Sequence, residues 1–184
     1  MQVDSSVFES FPVIKTKRLL LRDFKPEDAE AIFEMRRNQK VNQFIARPGM
    51  ESLEQAKELV QKVKNTYSQK QGIGWAAMLR DGNSMIGACG LNRIEYENLR
   101  AEIGGEMSTR YWGKGIALEA VEAIVNFAFD TVNLHSIEAR VWPENRGAIF
   151  LLETLGFKKE AHLKDALFYN DKFMDVAFYS LVSR

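Results

Sequence analysis

The chain has 184 residues, a length that suits one domain with a hydrophobic core of its own. Hydrophobic residues make up 46% and charged residues 27%, a composition that excludes disordered, collagen-like and low-complexity chains. Because 25 basic residues balance 25 acidic ones, no overall positive charge is available to hold nucleic acid, and we expect no direct nucleic-acid partner.

Periodicity and turn signals predict helices and strands in mixed order. Apolar residues recur every three or four positions in the predicted helices, and a Ser52/Gln55 pair is typical of a helix N-terminus. Asp81-Gly82 indicates a hairpin turn. In chain order we predict a strand at 18–24, helices at about 26–38 and 53–69, strands at 74–79, 84–91 and 101–108, a helix at about 115–131, a strand at 136–142, a short helix at 148–155 and two strands around 170–171. This order predicts an α/β domain built around one mixed sheet.

Cysteine and histidine are too few for a disulfide framework or a zinc cluster. The chain has one cysteine, Cys89, and two histidines, so we expect no metal. No stretch approaches the ~18 consecutive apolar residues of a membrane span. We therefore expect a cytoplasmic protein with no membrane partner.

The most informative segment joins the strand at 101–108 to the helix that follows it. Arg110, Gly113, Lys114 and Gly115 lie just before that helix, whose first N–H groups have no intrahelical partner. Such a corner suits a phosphate or pyrophosphate group. The spacing matches neither a dinucleotide fingerprint nor a P-loop, since Leu118 and Gly115 replace required residues. A surface turn carrying a charged residue is the alternative.

A glycine pair in the preceding strand adds a second feature. Gly104-Gly105 in mid-strand predicts a bulge or a close approach of another backbone. A bulged strand can splay from its neighbour and expose N–H and C=O groups to an extended, amide-containing ligand. Coenzyme A combines such a tail with a pyrophosphate.

Two blocks of this sequence resemble the GNAT N-acetyltransferase superfamily. Arg110-x-x-Gly113-x-Gly115-x-Ala117 is similar to its acyl-CoA signature, and the segment from Val141 to Phe157 is similar to its strand–Asn–helix–Gly-Phe block. The segments Tyr-Trp-Gly-Lys-Gly at 111–115 and Lys-Arg-Leu-Leu-Leu-Arg at 17–22 resemble the RimJ/RimL-like branch of the family, which acetylates ribosomal-protein N-termini. The resemblance covers roughly residues 16–182.

The resemblance implies a fold and a reaction. It implies a single acetyltransferase domain over residues 1–184, with 1–15 as a candidate flexible N-terminal segment. The expected sheet is mixed and mostly antiparallel, with six to seven strands, a splayed middle and about four flanking helices. Acetyl-CoA would be the co-substrate, without metal, and a protein N-terminal or small-molecule amine would attack it directly. The implied assembly is a monomer or homodimer.

The same resemblance implies residues that hold the cofactor. These are Met107, Ser108, Arg110, Gly113, Lys114, Gly115, Ile116, Ala117 and Asn145. For Asn145, a local turn or a helix cap after Pro143 is the alternative.

Proton transfer is assigned to two carboxylates. A lysine amine with a pKa near 10.4 needs roughly 4.6 kcal/mol to be neutral at pH 7, whereas an α-amine near 7.7–8.0 needs only about 1.4 kcal/mol. Glu102 and Glu106 lie four residues apart on one strand, hence on the same face, and are the candidate catalytic bases. The alternative is that either one is an ordinary solvent-facing residue.

Several positions depart from the family pattern. Leu152 replaces the family's tyrosine acid and Ala148 its serine, so water, Tyr111 or Tyr169 would supply the proton to the thiolate. A non-catalytic acyl-CoA-binding sensor or scaffold is therefore the alternative function, and another nucleotide-phosphate binder is a third.

Two further groups have a plain structural interpretation. Cys89 is either a covalent nucleophile or a small core residue, and its apolar strand favours the core. The cations at Arg36, Arg37 and Lys40 lie where the family places a substrate-gating helix, and we expect a solvated helix face there.

Overall fold

Eight strands form one mixed sheet in a computed structural model that describes residues 2–183. The sheet order is β1-β2-β3-β4-β5-β6-β8-β7, and every neighbouring pair is antiparallel except β5 and β6. The strands are β1 Ile14–Lys15, β2 Leu19–Arg22, β3 Ile73–Leu79, β4 Met85–Glu95, β5 Arg100–Met107, β6 Ser136–Val141, β7 Lys158–Tyr169 and β8 Lys172–Val182.

Five helices connect these strands. They are α1 Asp28–Arg36, α2 Gln39–Asn42, α3 Leu53–Ser68, α4 Ile116–Asp130 and α5 Arg146–Thr154, with 3₁₀ turns at Ser5–Phe8 and Thr109–Tyr111. Ser52 caps α3 as the sequence predicts, because its Oγ accepts a hydrogen bond from Gln55 N at 3.3 Å. Within residues 2–183, no helix is long and apolar enough to cross a membrane.

The helices cover both faces of the sheet. Side chains alternate along a strand, so Trp75 enters the core cluster shared with α4 and α5, while its neighbour Ala76 enters a second cluster with α1 and α3. The side of the sheet that packs against α1 and α3 is called the α1–α3 face, and the other side the α4–α5 face. A three-layer α/β architecture results.

The sheet opens in its middle, as expected. The parallel strands β5 and β6 pair only at Arg100–Ser136, Ala101–Ile137 and Glu102–Glu138. β5 continues to Met107 and β6 to Val141 without further pairing between them. The gap beyond this last pair, between residues 103–107 and 139–141, is called the β5–β6 cleft. Its β5 edge leaves backbone N–H and C=O groups unpaired.

Of the two alternatives predicted for Gly104-Gly105, the bulge is wrong and the close approach of another backbone is confirmed. Both glycines keep regular pairing with β4, opposite Gly90 and Cys89, and the register shift lies instead between Asn92 and Glu95. The approaching backbone is that of β4, because a Cβ on Gly105 would lie 2.8 Å from Ala88 O. Gly105 therefore permits the close approach of β4, while the splay occurs on the opposite edge of β5.

The element count exceeds the expectation of six to seven strands and about four helices. The two-residue β1 and the one-turn α2 are too short to produce a periodic pattern. Of the candidate flexible segment, residues 2–15 are described, and Val3 and Val7 are buried in the core. The Asp4 amide also donates to Val132 O at 2.9 Å.

Candidate active site

The loop between β5 and α4 has the backbone that a bound anion needs. Gly113 and Gly115 adopt φ of +71° and +69°, in the left-handed region that L side chains rarely reach. A Cβ on Gly113 would meet no other atom within 4 Å, so the loop faces open space. The two glycines turn the chain sharply before α4 begins.

The first turn of α4 leaves its amides free. Its first helical hydrogen bond runs from Glu119 N to Gly115 O at 3.1 Å, and no side chain caps the N-terminus. The amides of Ile116, Ala117 and Leu118 therefore have no intrahelical acceptor, and the helix dipole adds positive potential there. These residues fit the pyrophosphate that the glycine pattern predicts.

Two residues that the sequence reasoning missed fasten this corner to the sheet. Arg18 donates to Lys114 O at 2.9 Å and to Gly115 O at 3.1 Å. Glu119 in turn accepts from Thr16 Oγ1 at 2.6 Å, Arg18 N at 2.8 Å and Arg18 Nε at 2.5 Å. Because Arg18 and Glu119 are 101 positions apart, no local pattern could indicate the contact.

The loop also folds back on the end of β5. The Trp112 indole N–H donates to Met107 O at 2.8 Å, which fixes the loop against the cleft edge. Lys114 Nζ lies 5.8 Å from the Tyr111 ring centroid, in a cation–π contact. Arg110 and Lys114 are exposed beside the loop, where their charges add to the positive potential.

Asn145 acts as the helix cap that the sequence left as an alternative. Its Oδ1 accepts from Ala148 N at 3.1 Å, and α5 begins at the next residue. In the described chain its Nδ2 group donates to no protein atom, so that donor is available to a ligand on the β6 side of the cleft.

The predicted carboxylates share a face but have separate partners. Glu106 is nearly buried, with 6% of its side chain exposed. It accepts from Arg36 Nε at 2.7 Å and forms an ion pair with Arg47. The expectation of a solvated helix face is wrong for Arg36, whose pKa is lowered chiefly by burial, against the opposing attraction of Glu106.

Glu102 lies at the last β5–β6 pair, directly opposite Glu138. It forms ion pairs with Arg93 and, at 3.7 Å, with Arg140. Arg93 and Arg140 also contact Glu138, at 3.2 and 3.4 Å. The two candidate bases therefore belong to two different ionic groups at the two ends of one strand face.

Comparison with known proteins agrees with this geometry. The family model described as Acetyltransferase (GNAT) domain matches residues 18–158, well over half of the chain. The chain belongs to the GNAT acetyltransferase family. It is accordingly an N-acetyltransferase, and this membership favours the enzyme over the non-catalytic module.

Two curated relatives align over nearly the whole GNAT chain. The "uncharacterized N-acetyltransferase YoaA" of Bacillus subtilis is 36% identical over 94% of this chain and 97% of its own length. The "uncharacterized N-acetyltransferase p20" of Bacillus licheniformis is 34% identical over 92% and 95%.

Solved structures show the same fold. A spermidine N-acetyltransferase from Vibrio cholerae, in complex with CoA and spermine, is 26% identical, has a TM-score of 0.80 and covers 91% of this chain and 96% of its own. RimL, a ribosomal L7/L12 α-N-protein acetyltransferase in complex with coenzyme A, has a TM-score of 0.85, with 93% and 98% coverage. At 20% identity, RimL is evidence for the fold alone.

The residue that replaces the family's tyrosine acid, the two tyrosines considered in its place and Cys89 each have a defined position in the fold. Leu152 is 4% exposed and packs in the main core cluster. Of the two tyrosines, Tyr111 lies in the glycine loop, whereas Tyr169 lies at the β7–β8 turn, opposite Lys172. Cys89 is buried, as expected of a core residue, and burial raises the pKa of its thiol to about 12.

Proposed function

We propose that this GNAT protein transfers the acetyl group of acetyl-CoA to the α-amine of a protein N-terminus by direct attack of the amine. The observation that carries the proposal is the β5–β6 cleft, whose unpaired strand edge leads to a glycine loop and an uncapped helix. The cleft accepts an extended chain at one end and a pyrophosphate at the other.

The cofactor would be held mostly by backbone groups of one continuous segment. CoA supplies the acetyl group as an activated thioester. The amides of Gly113 to Ala117, with Arg110 and Lys114 beside them, are assigned to the pyrophosphate. Met107 and Ser108 are assigned to the pantetheine amides, and a β5 amide to the thioester carbonyl as an oxyanion donor. Asn145 would contribute its free Nδ2 group from the β6 side.

An α-amine fits the carboxylates better than a lysine does. Both oxygens of Glu106 accept from guanidinium groups, and Glu102 also has arginine partners. Oxygens that already accept from guanidinium groups leave few lone pairs to receive a proton directly from an ammonium group. An α-amine needs only about 1.4 kcal/mol to be neutral at pH 7, so a weak base suffices.

In the proposed transfer one bond forms, one bond breaks and two protons move. The amine nitrogen bonds to the acetyl carbon while the C–S bond breaks. The nitrogen gives up one proton to Glu102, to Glu106 or to a water beside one of them. The sulfur leaves as a thiolate and takes up one proton from water or Tyr111, so the products are an amide and a thiol.

A product-mass screen tests the acceptor class. The full chain is incubated with acetyl-CoA and three sets of amines: peptides with free N-termini, lysine peptides with blocked N-termini, and polyamines. We expect acetylated product mainly from the free N-termini. Selective acetylation of polyamines would contradict the proposed acceptor, and CoA binding without any product would favour a non-catalytic module.

Matched variants test the carboxylates. Glu102→Gln and Glu106→Gln should each lower kcat about tenfold or more and move the pH–rate profile, with little change in Kd for CoA. Glu122→Gln, an exposed change on α4, is the control and should leave both constants unchanged. Wild-type rates in both test variants would indicate a route through water alone.

A further inference from the structure

Ionic side chains lie on the α1–α3 face of the sheet, along the cleft and the paired end of β5 beside it. Arg100, Glu102 and Glu106 alternate onto this face of β5, with Gly104 between the two carboxylates. The opposite face of the sheet carries α4, and with it the proposed pyrophosphate corner. An amine that meets the thioester from the side away from the cofactor therefore approaches over this face, at the level of Gly104. This step rests on the proposed function.

The ionic side chains on this face carry unequal charge. Four carboxylates, Glu95, Glu102, Glu106 and Glu138, are set against five guanidinium groups, Arg36, Arg47, Arg93, Arg100 and Arg140; Glu95 on β4 lies directly opposite Arg100. Five positive minus four negative charges leave one positive charge. Farther out on β7, Lys158 lies opposite Ser180 and Glu160 accepts from Ser180, so these two charges offset each other.

The excess charge is accessible and only partly satisfied. Arg140 lies on β6 beyond the last β5–β6 pair, with 41% of its side chain exposed, and stacks 4.9 Å from the Phe178 ring. Its contacts to Glu102 and Glu138 are long, at 3.7 and 3.4 Å, and Arg100 Nη1 is 3.6 Å from Glu138. A guanidinium has five donors in a fixed fork that suits carboxylates, so donors remain for a ligand.

From this arrangement we infer that the acceptor is the N-terminus of an acidic polypeptide, with carboxylates within the first few residues after the reacting amine. Its carboxylates would pair with Arg140 and Arg100, while Arg36 and Arg47 hold Glu106 on the other side of Gly104. A polycation would face an excess positive charge beside the cleft, and like charges repel.

Peptide competition tests the inference directly. Two peptides of equal length share the same first residue and differ only in carrying glutamates or lysines at the next positions. At low salt, we expect kcat/KM to be at least tenfold higher for the acidic peptide, mainly through KM. Raising the salt concentration should reduce the difference because the charges are partly exposed.

Variants that remove one positive charge each test whether the preference for acidic peptides comes from this face. Arg140→Gln should reduce the acidic preference about three- to tenfold while the Kd for CoA stays unchanged, and Arg100→Gln provides a second variant. Lys57→Gln removes one exposed charge from α3 and is the matched control, with the preference unchanged.

The outcomes separate this inference from the proposed function. Equal rates for the two peptides, or faster acetylation of the basic one, would overturn the charge inference and leave N-terminal acetylation standing. Acetylation of polyamines but of neither peptide would overturn both. A full acidic preference in Arg140→Gln and Arg100→Gln would overturn the role of this face.

Discussion

At the scale of single residues, the glycine loop depends on backbone that other residues reach only with strain. Gly115, at φ +69°, is the N-cap of α4, and its carbonyl accepts from both Glu119 N and Arg18. An L residue in the left-handed region costs about 1–2 kcal/mol. The turn itself therefore requires glycine here, in addition to any close approach of a ligand.

Gly115→Ala should affect both stability and CoA affinity. We expect a loss of about 1–2 kcal/mol in the free energy of unfolding from backbone strain. The added methyl group would lie 3.5 Å from the Arg18 guanidinium, in the loop assigned to the pyrophosphate, and a tenfold rise in Kd for CoA would correspond to about 1.4 kcal/mol. Urea denaturation and calorimetric titration measure the two effects.

The matched control is Gly156→Ala, at φ +89° beyond the C-terminus of α5. It should lose similar stability, since its conformation is also left-handed, with wild-type CoA affinity. An unchanged Kd in Gly115→Ala would contradict the assignment of this loop to the cofactor.

At the scale of elements, α4 is attached to the β1–β2 turn by one carboxylate. Burial acts to raise the pKa of Glu119, but hydrogen bonds from Thr16, the Arg18 amide and the Arg18 guanidinium outweigh it and lower the pKa. A carboxylate with a lowered folded pKa stabilises the fold above its unfolded pKa and loses that contribution as pH falls through the folded value.

Glu119→Gln should lower stability in a pH-dependent way. At pH 7 we expect a loss of about 1 kcal/mol, or a Tm lower by about 2–4 °C. The difference from wild type should shrink as pH falls below about 4.3, the reference pKa of an unfolded glutamate. Thermal unfolding between pH 3 and 7 measures it, with Glu122→Gln, on the exposed side of α4, as the control. A difference independent of pH would contradict the ionic role.

At the scale of the whole molecule, the main hydrophobic core extends under most strands of the sheet, including those beside the cleft. Cys89 on β4 lies opposite Gly105 on β5 and belongs to this core, with 9% of the residue exposed. A buried thiol with a pKa raised to about 12 is almost entirely protonated at neutral pH. Direct acetyl transfer therefore needs no contribution from Cys89.

Alkylation of Cys89 should report global unfolding. In native buffer we expect labelling to be slow and to accelerate in urea, because the core must open first. CoA at about 100 times its Kd should slow labelling further, since binding adds about 2.7 kcal/mol to stability. Mass spectrometry follows the reaction.

The Cys89→Ala variant gives the complementary measurement, because it should remain unlabelled and keep near wild-type turnover. Rapid labelling of the folded wild-type chain, or loss of turnover in the variant, would restore the covalent alternative.

The sequence by itself determined the local elements of this protein and the position of the glycine loop that is proposed to hold the cofactor. Helix periods, the Ser52 cap and glycines such as Gly115 act over a few residues, so their patterns can be identified without a fold. Short pieces such as β1 have no period to detect.

The tertiary structure alone decided which distant residues meet. In the folded chain Arg18 contacts Gly115, and Arg36 contacts Glu106. The sheet opens at the edge of β5 that faces β6, and not through the bulge that the sequence suggested. These contacts join positions about 70 to 100 residues apart, and their partners are selected by how the layers pack. The charge beside the cleft is a sum over α1, β4, β5, β6 and the loop that carries Arg47, so only the folded chain reveals it.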